Sequence, residues 1–150
     1  MTPPNERNGM ELTAHLPAEA RERAENRLRT NPIAWLTTVR PDGQPVSVPV
    51  WFLFRDDETI LIYSEPGKGK LRNIAKNPKI SLALDETERG RNVVRLEGTA
   101  ETPAGHASAD GVAGYRTKYA DLIETVFGSP ERFASKFSEA IVVTPRRLHA

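Results

Sequence analysis

The sequence predicts a mainly β domain of the α+β class, with six antiparallel strands in a small barrel and helices at its periphery. Three observations carry that expectation. Apolar residues recur with period two through the middle of the chain, as in "PVSVPVWFLF", the alternation of a half-buried strand. Short turn sequences join these runs. The strongest is "RPDGQ", where Gly43 accepts the positive φ of a tight hairpin. A helical period appears only near the start, in one short segment midway, and after Gly111.

Residues 1–11 are polar, contain two prolines and read as a disordered leader, leaving 12–150 as one domain. Pro17 opens a charged helix to about Arg29, because a proline in the first turn forfeits no N–H bond. Its thin stripe of Ala20, Ala24 and Leu28 places this helix on the surface. Strands follow at Ile33–Val39 and Pro45–Phe54. In the second, Val46, Val48, Val50, Phe52 and Phe54 share one face and Ser47, Pro49, Trp51 and Leu53 the other. Pro49 has no N–H for a ladder, so it marks an edge, a bulge or a break where a ligand can meet exposed backbone.

"RDDE" turns the chain into a third strand, Thr59–Ser64, and a lysine-rich turn then leads to a helix over about Lys70–Lys76. Proline ends that helix at "NP". Further strands are expected at Lys79–Leu84, Asn92–Glu101 and Ala140–Leu148. Between the last two, Thr102–Gly111 is a loop. Val112, Tyr115, Tyr119, Ile123 and Val126 mark one helix, which Gly128 terminates. Ser129-Pro130-Glu131 starts another, with Phe133 and Phe137 one turn apart.

Composition removes several chemistries. Without cysteine there is no disulfide, no thiolate catalysis and no cysteine zinc site. His15, His106 and His149 lie far apart and form no metal-ligand spacing. A formal charge of +1 means that anion binding must come from local clustering. The N-terminus lacks the order of a signal peptide and no segment reaches bilayer-spanning length, so a cytoplasmic protein without a membrane partner is expected. No Ser-His-Asp or paired-carboxylate arrangement is evident, and the sequence names no catalytic residue.

The turn "YSEPGKGKLRNIAKNP" is the candidate anion site. It departs from a nucleoside-triphosphate loop at two positions: Ser64 stands where the first glycine belongs, and Leu71 where a hydroxyl belongs. Lys68, Lys70, Arg72, Lys76 and Lys79 could follow a nucleic-acid backbone, but no aromatic residues alternate with them to stack bases. A solvated turn is the plain alternative. Against it, the loop opens a helix, where free N–H groups and the dipole favour an anion. Lysine would meet a cofactor phosphate there as a point charge.

Three stretches together resemble the pyridoxamine 5′-phosphate oxidase-like superfamily of FMN-binding split β-barrels: "WLTTVRPDGQPVSVPVWFLF", "IYSEPGKGKLRNIAKNPKISLAL" and "VVRLEGTAE". The likeness covers about residues 30–101, and "PERFASKFSEAIVVTPRRLHA" is similar to the family's C-terminal close. By position, Lys70 corresponds to the family's phosphate-binding lysine. Tyr63 and Ser64 correspond to the strand-end pair facing the phosphate, with Lys68 on the turn and Arg72 on the helix adding charge. Val48, Pro49, Val50 and Trp51 lie where the second strand passes along the cofactor ring.

Three departures shift the implied cofactor. The classical oxidases carry an arginine in strand two, a serine-arginine-lysine turn and a flavin-touching glutamine. Here those places hold "VSVPVWF", "KGK" and Val93. They resemble instead the actinobacterial branch that uses the deazaflavin coenzyme F420, whose acidic tail suits a lysine-rich mouth. The resemblance therefore implies an F420-dependent oxidoreductase passing hydride to or from a small unsaturated molecule. FMN in the same role, or a non-catalytic cofactor- or haem-binding protein, are its alternatives. It also implies a homodimer with cofactor sites at the subunit interface, and no nucleic-acid partner.

Overall fold

A computed structural model describes residues 10–86 and 88–150. Among them, one curled antiparallel sheet forms a half-barrel with helices packed around it. Its strands are β1 (Ala34–Val39), β2 (Pro45–Val50), β3 (Leu53–Phe54), β4 (Ile60–Ser64), β5 (Lys79–Leu84), β6 (Arg95–Glu101) and β7 (Glu139–His149), in spatial order β2-β1-β5-β6-β7-β4-β3. The helices are α1 (Ala18–Thr30), α2 (Gly69–Lys76), α3 (Ala113–Lys118), α4 (Ala120–Phe127) and α5 (Pro130–Lys136).

The sheet has seven strands among the described residues rather than six. The expected second strand divides at Trp51-Phe52, and its halves, β2 and β3, lie at opposite edges of the sheet. Side-chain alternation does not register this break, because Val48, Val50 and Phe52 all pack into the same core. Hydrogen bonding does. The Phe52 N–H donates to the Tyr119 hydroxyl at 2.8 Å, Tyr119 donates to the Pro32 carbonyl at 2.7 Å, and Lys118 Nζ donates to the Phe52 carbonyl at 2.7 Å. Side chains thus replace the ladder bonds that the crossing strand gives up.

The same contact explains why the expected single helix after the loop is two. Tyr119 leaves helical geometry at φ −110°, ψ 17°, parting α3 from α4. At the other bend in the sheet, β7 bulges at Arg146, since Glu97 pairs with Arg147 but the next residue, Gly98, with Pro145. A Cβ on Gly98 would collide with the Thr144 carbonyl and lie 3.0 Å from Pro145 Cα, so only glycine lets β7 approach this closely.

Two cores result. The larger fills the half-barrel with Leu36, Phe52, Ile62, Leu82, Leu96 and Ile141, and α1 closes it with Ala24 and Leu28 while its charged faces stay outside. The smaller lies beneath α3–α5 and is aromatic, built on Tyr63, Tyr115, Tyr119 and Phe133.

Residues 1–9 of the expected leader lie outside the described residues, but its last two belong to the packed domain. Met10 joins the main core. The Glu58 carboxylate accepts from the N–H groups of Glu11 at 3.2 Å and Leu12 at 2.8 Å.

Candidate functional site

β4 ends at Ser64, and Pro66–Gly67 turn the chain into α2, with Gly67 at φ +78°. α2 is held against β1 by Ile74 in the core and by a buried hydrogen bond, Asn73 Nδ2 to Thr38 Oγ1, at 3.0 Å. The first turn of α2 follows Lys68 and has no side-chain cap; the Leu71 N–H donates to the Lys68 carbonyl at 3.1 Å, and the N–H groups of Gly69 and Lys70 stay available to an anion.

Two cavities meet at Lys70. A groove of about 680 Å³ runs between the β1–β2 hairpin and α2, and its cationic lining is Arg40, Lys68, Lys70, Arg72 and Lys76. Among the described residues, no carboxylate lines it. A second cavity of about 300 Å³ is apolar and aromatic, with Pro49, Val50, Trp51, Tyr63, Tyr115 and Phe133 in its wall. Lys70 lines both. Its ammonium is pushed below the usual lysine range, first by burial and then by nearby Lys68, against the opposing pull of Glu65. A bound anion would relieve both unfavourable effects.

Of the residues singled out in the sequence, Lys68, Lys70, Arg72 and Val48 line the groove. Pro49, Val50, Trp51 and Tyr63 line the aromatic cavity, again with Lys70. Lys68 pairs with Glu65 at 3.6 Å, and Arg72 Nη1 donates to the Gly67 carbonyl at 2.8 Å, bracing the turn. Ser64 stands apart from both cavities. It is fully buried, and its hydroxyl donates to the Glu65 carbonyl at 2.8 Å, not toward either opening.

Tyr63 donates its hydroxyl proton to the Ala107 carbonyl at 2.7 Å, and burial pushes its pKa up to about 12. It therefore serves as a fixed wall, not as a proton donor to a ligand. Trp51 stacks on Tyr119 with centroids 4.7 Å apart and on Phe133 at 5.3 Å. These two near-parallel contacts fix the plane of the indole in the cavity wall.

Sequence reasoning did not place Arg40 and Lys76 in the groove, or Phe133 in the aromatic cavity; Tyr115 reads there as a helical-stripe residue, more often core, that could line a substrate entrance. For Arg40 the hairpin register was a usable signal, since it puts the turn beside the strand that borders α2. The aromatic wall is assembled from residues some 50 to 80 positions apart in the chain, and no local pattern reports that. Among the described residues, no cluster of three or more His, Asp or Glu could hold a metal, and no helix is long and apolar enough to cross a membrane.

A family model described as Pyridoxamine 5'-phosphate oxidase matches residues 20–149. Among solved structures, the conserved hypothetical protein Rv2991 from Mycobacterium tuberculosis is 20% identical with a TM-score of 0.66, covering 95% of this chain and 88% of its own. A protein described as F420 Reductase is 23% identical with a TM-score of 0.59, covering 83% of this chain and 94% of its own. A putative pyridoxamine 5'-phosphate oxidase from Listeria innocua is 18% identical with a TM-score of 0.59, covering 83% and 91%. At these identities the likeness is one of fold. A search of curated proteins finds no match.

Proposed function

The chain belongs to the pyridoxamine 5′-phosphate oxidase family, and from that premise we propose that it is an oxidoreductase dependent on coenzyme F420. The observation that carries the reading is Lys70, shared between an aromatic cavity and a cation-lined groove. That pairing suits a cofactor made of a flat ring and a phosphate. Lys70 and Lys68 would hold the phosphate at the uncapped start of α2, with Arg72 adding charge and keeping the turn in shape. Pro49, Val50 and Trp51 would border the ring from the free edge of the sheet, with Val48 on the groove side of Lys70.

The groove continues past Lys70 to Arg40 and Lys76, with no carboxylate among the described residues of its lining. Arg40 already pairs with Asp42 at 3.2 Å, so the discriminating cation is Lys76. FMN carries one phosphate and would leave it unused, whereas a cofactor with an acidic tail would engage it. This is the reason for preferring the deazaflavin. When bound, such a ring supplies hydride exchange with a small unsaturated substrate. The protein's own residues bind it, orient it and keep water from it. The reading includes a cytoplasmic homodimer with cofactor sites at the subunit interface.

The test is titration of purified protein with oxidised coenzyme F420, FMN and haem, followed by absorbance and fluorescence. Preferential binding of the deazaflavin supports the proposal. Micromolar binding of FMN or haem without deazaflavin binding overturns it.

A further inference from the structure

The lysine turn carries its own counter-charge. Glu65 stands where β4 passes into the turn and lines neither cavity, yet its Oε2 lies 3.6 Å from Lys68 Nζ. The residue is fixed at its base, because the Ser64 hydroxyl donates to the Glu65 carbonyl at 2.8 Å. Lys70 feels the same carboxylate: burial and then Lys68 depress that ammonium, and Glu65 opposes them. The Glu65 side chain is only 32% exposed, so water and salt screen its charge incompletely. Both lysines of the candidate phosphate site thus share one carboxylate held outside the groove.

A carboxylate so placed repels any anion that the lysines attract, and the repulsion grows in proportion to the anion's charge. Phosphate groups differ in that charge. A terminal phosphate monoester carries about 1.5–2 negative charges near neutral pH, whereas a phosphodiester has no second proton to lose and carries a single one. FMN ends in a monoester; the phosphate of coenzyme F420 is a diester. We propose that Glu65 is a specificity-determining residue, which makes the turn favour a singly charged phosphodiester over a doubly charged phosphate monoester. On a logarithmic scale it opposes the monoester about twice as strongly as the diester. This rests on reading the turn as the phosphate site, but not on Lys76 or on any contact with the ring.

The experiment measures dissociation constants for wild type and Glu65→Gln, which keeps the size of the side chain and removes its charge. The probes are FMN, coenzyme F420 and their phosphate-free rings, riboflavin and the deazaflavin ribitol fragment of F420. The expected result is binding tightened about threefold for F420 and about tenfold for FMN, with both phosphate-free rings unchanged. An equal gain for the two cofactors, or no gain, overturns the proposal. Weakened binding does so as well, since Glu65 would then be holding Lys68 in place for the ligand. A change with the phosphate-free rings would reveal an effect through structure and also overturns it. If wild type binds the phosphate-free rings as tightly as their phosphorylated partners, or binds no probe, the phosphate-site reading fails and takes this proposal with it. If wild type prefers FMN and the unequal gains are still seen, Glu65 keeps its role and only the deazaflavin reading is lost.

Discussion

The Tyr119 hydroxyl lies 2.8 Å from the Phe52 backbone nitrogen and 2.7 Å from the Pro32 carbonyl oxygen, bridging the two segments just beyond the Ala34–Val50 end of the β1–β2 pairing. It sits where β2 ends and the chain sets off for the opposite edge of the sheet, so one phenol holds the crossing that separates β2 from β3. Tyr119→Phe keeps the ring that stacks on Trp51 but strands a buried N–H and a carbonyl. The expected loss is about 1–3 kcal/mol in urea denaturation. A smaller loss would mean that the crossing is held by packing alone.

Lys118 shares this crossing. Its ammonium donates to the Phe52 carbonyl at 2.7 Å, lies 3.7 Å from the Phe52 ring centre, and is brought by burial from 10.5 down to about 7. Between those two values the unfolded chain holds a proton that the folded one has released. Stability therefore rises with pH across that window, and below about pH 7 the folded state carries the full penalty for charging Lys118. Lys118→Met removes the penalty. Its stability relative to wild type is expected to be higher at about pH 6 than at about pH 9, measured by denaturant midpoints. A pH-independent difference would contradict the assignment.

Gly98 faces the Thr144 carbonyl too closely for any side chain. Gly98→Ala must push β7 away from β6 or distort the bulge. We expect a loss of about 1–3 kcal/mol, the usual range for overpacking, with lower yield of folded protein. Calorimetry of the purified variant measures it, and an unchanged midpoint would show that the bulge adjusts freely.

Lys70→Ala is expected to weaken cofactor binding by about 1.5–3 kcal/mol, the range for a hydrogen bond to a charged group. Lys76→Ala, further along the groove, should weaken a cofactor with an acidic tail and leave FMN affinity nearly unchanged. Titrations at low and high salt check both, because groove contacts weaken as salt rises. Equal losses for the two cofactors at Lys76 would remove the tail from the groove.

Much of the barrel is legible in the sequence because strands announce themselves locally. The period of two, the Asp42-Gly43 turn and the proline stop at Pro78 locate β1, β4, α2, β5 and the start of β2 to within a residue or two. The break at Trp51-Phe52 is not legible, since residues on both sides of it face the same core and the stabilising hydroxyl comes from Tyr119, 67 positions away. The site divides in the same way. Lys68 and Lys70 are visible in the turn itself. Ser64 looked equally suitable there, but it turns its hydroxyl onto the neighbouring Glu65 carbonyl. The aromatic wall required the folded chain.

Pro49 entered as a residue with no ladder N–H, and its register gives that absence a wider meaning. Pro45 pairs with Val39 and Pro49 with Trp35 at the outermost strand of the sheet. Neither proline can donate to β1, so by strand parity both nitrogens face outward, where a free edge normally offers N–H groups to any passing strand. Two of those donors are missing. The edge that borders both cavities is thus protected against strand-to-strand association while remaining open to small molecules. Replacing both prolines with valine would give this rim new donors and turn a binding edge into an aggregation-prone one.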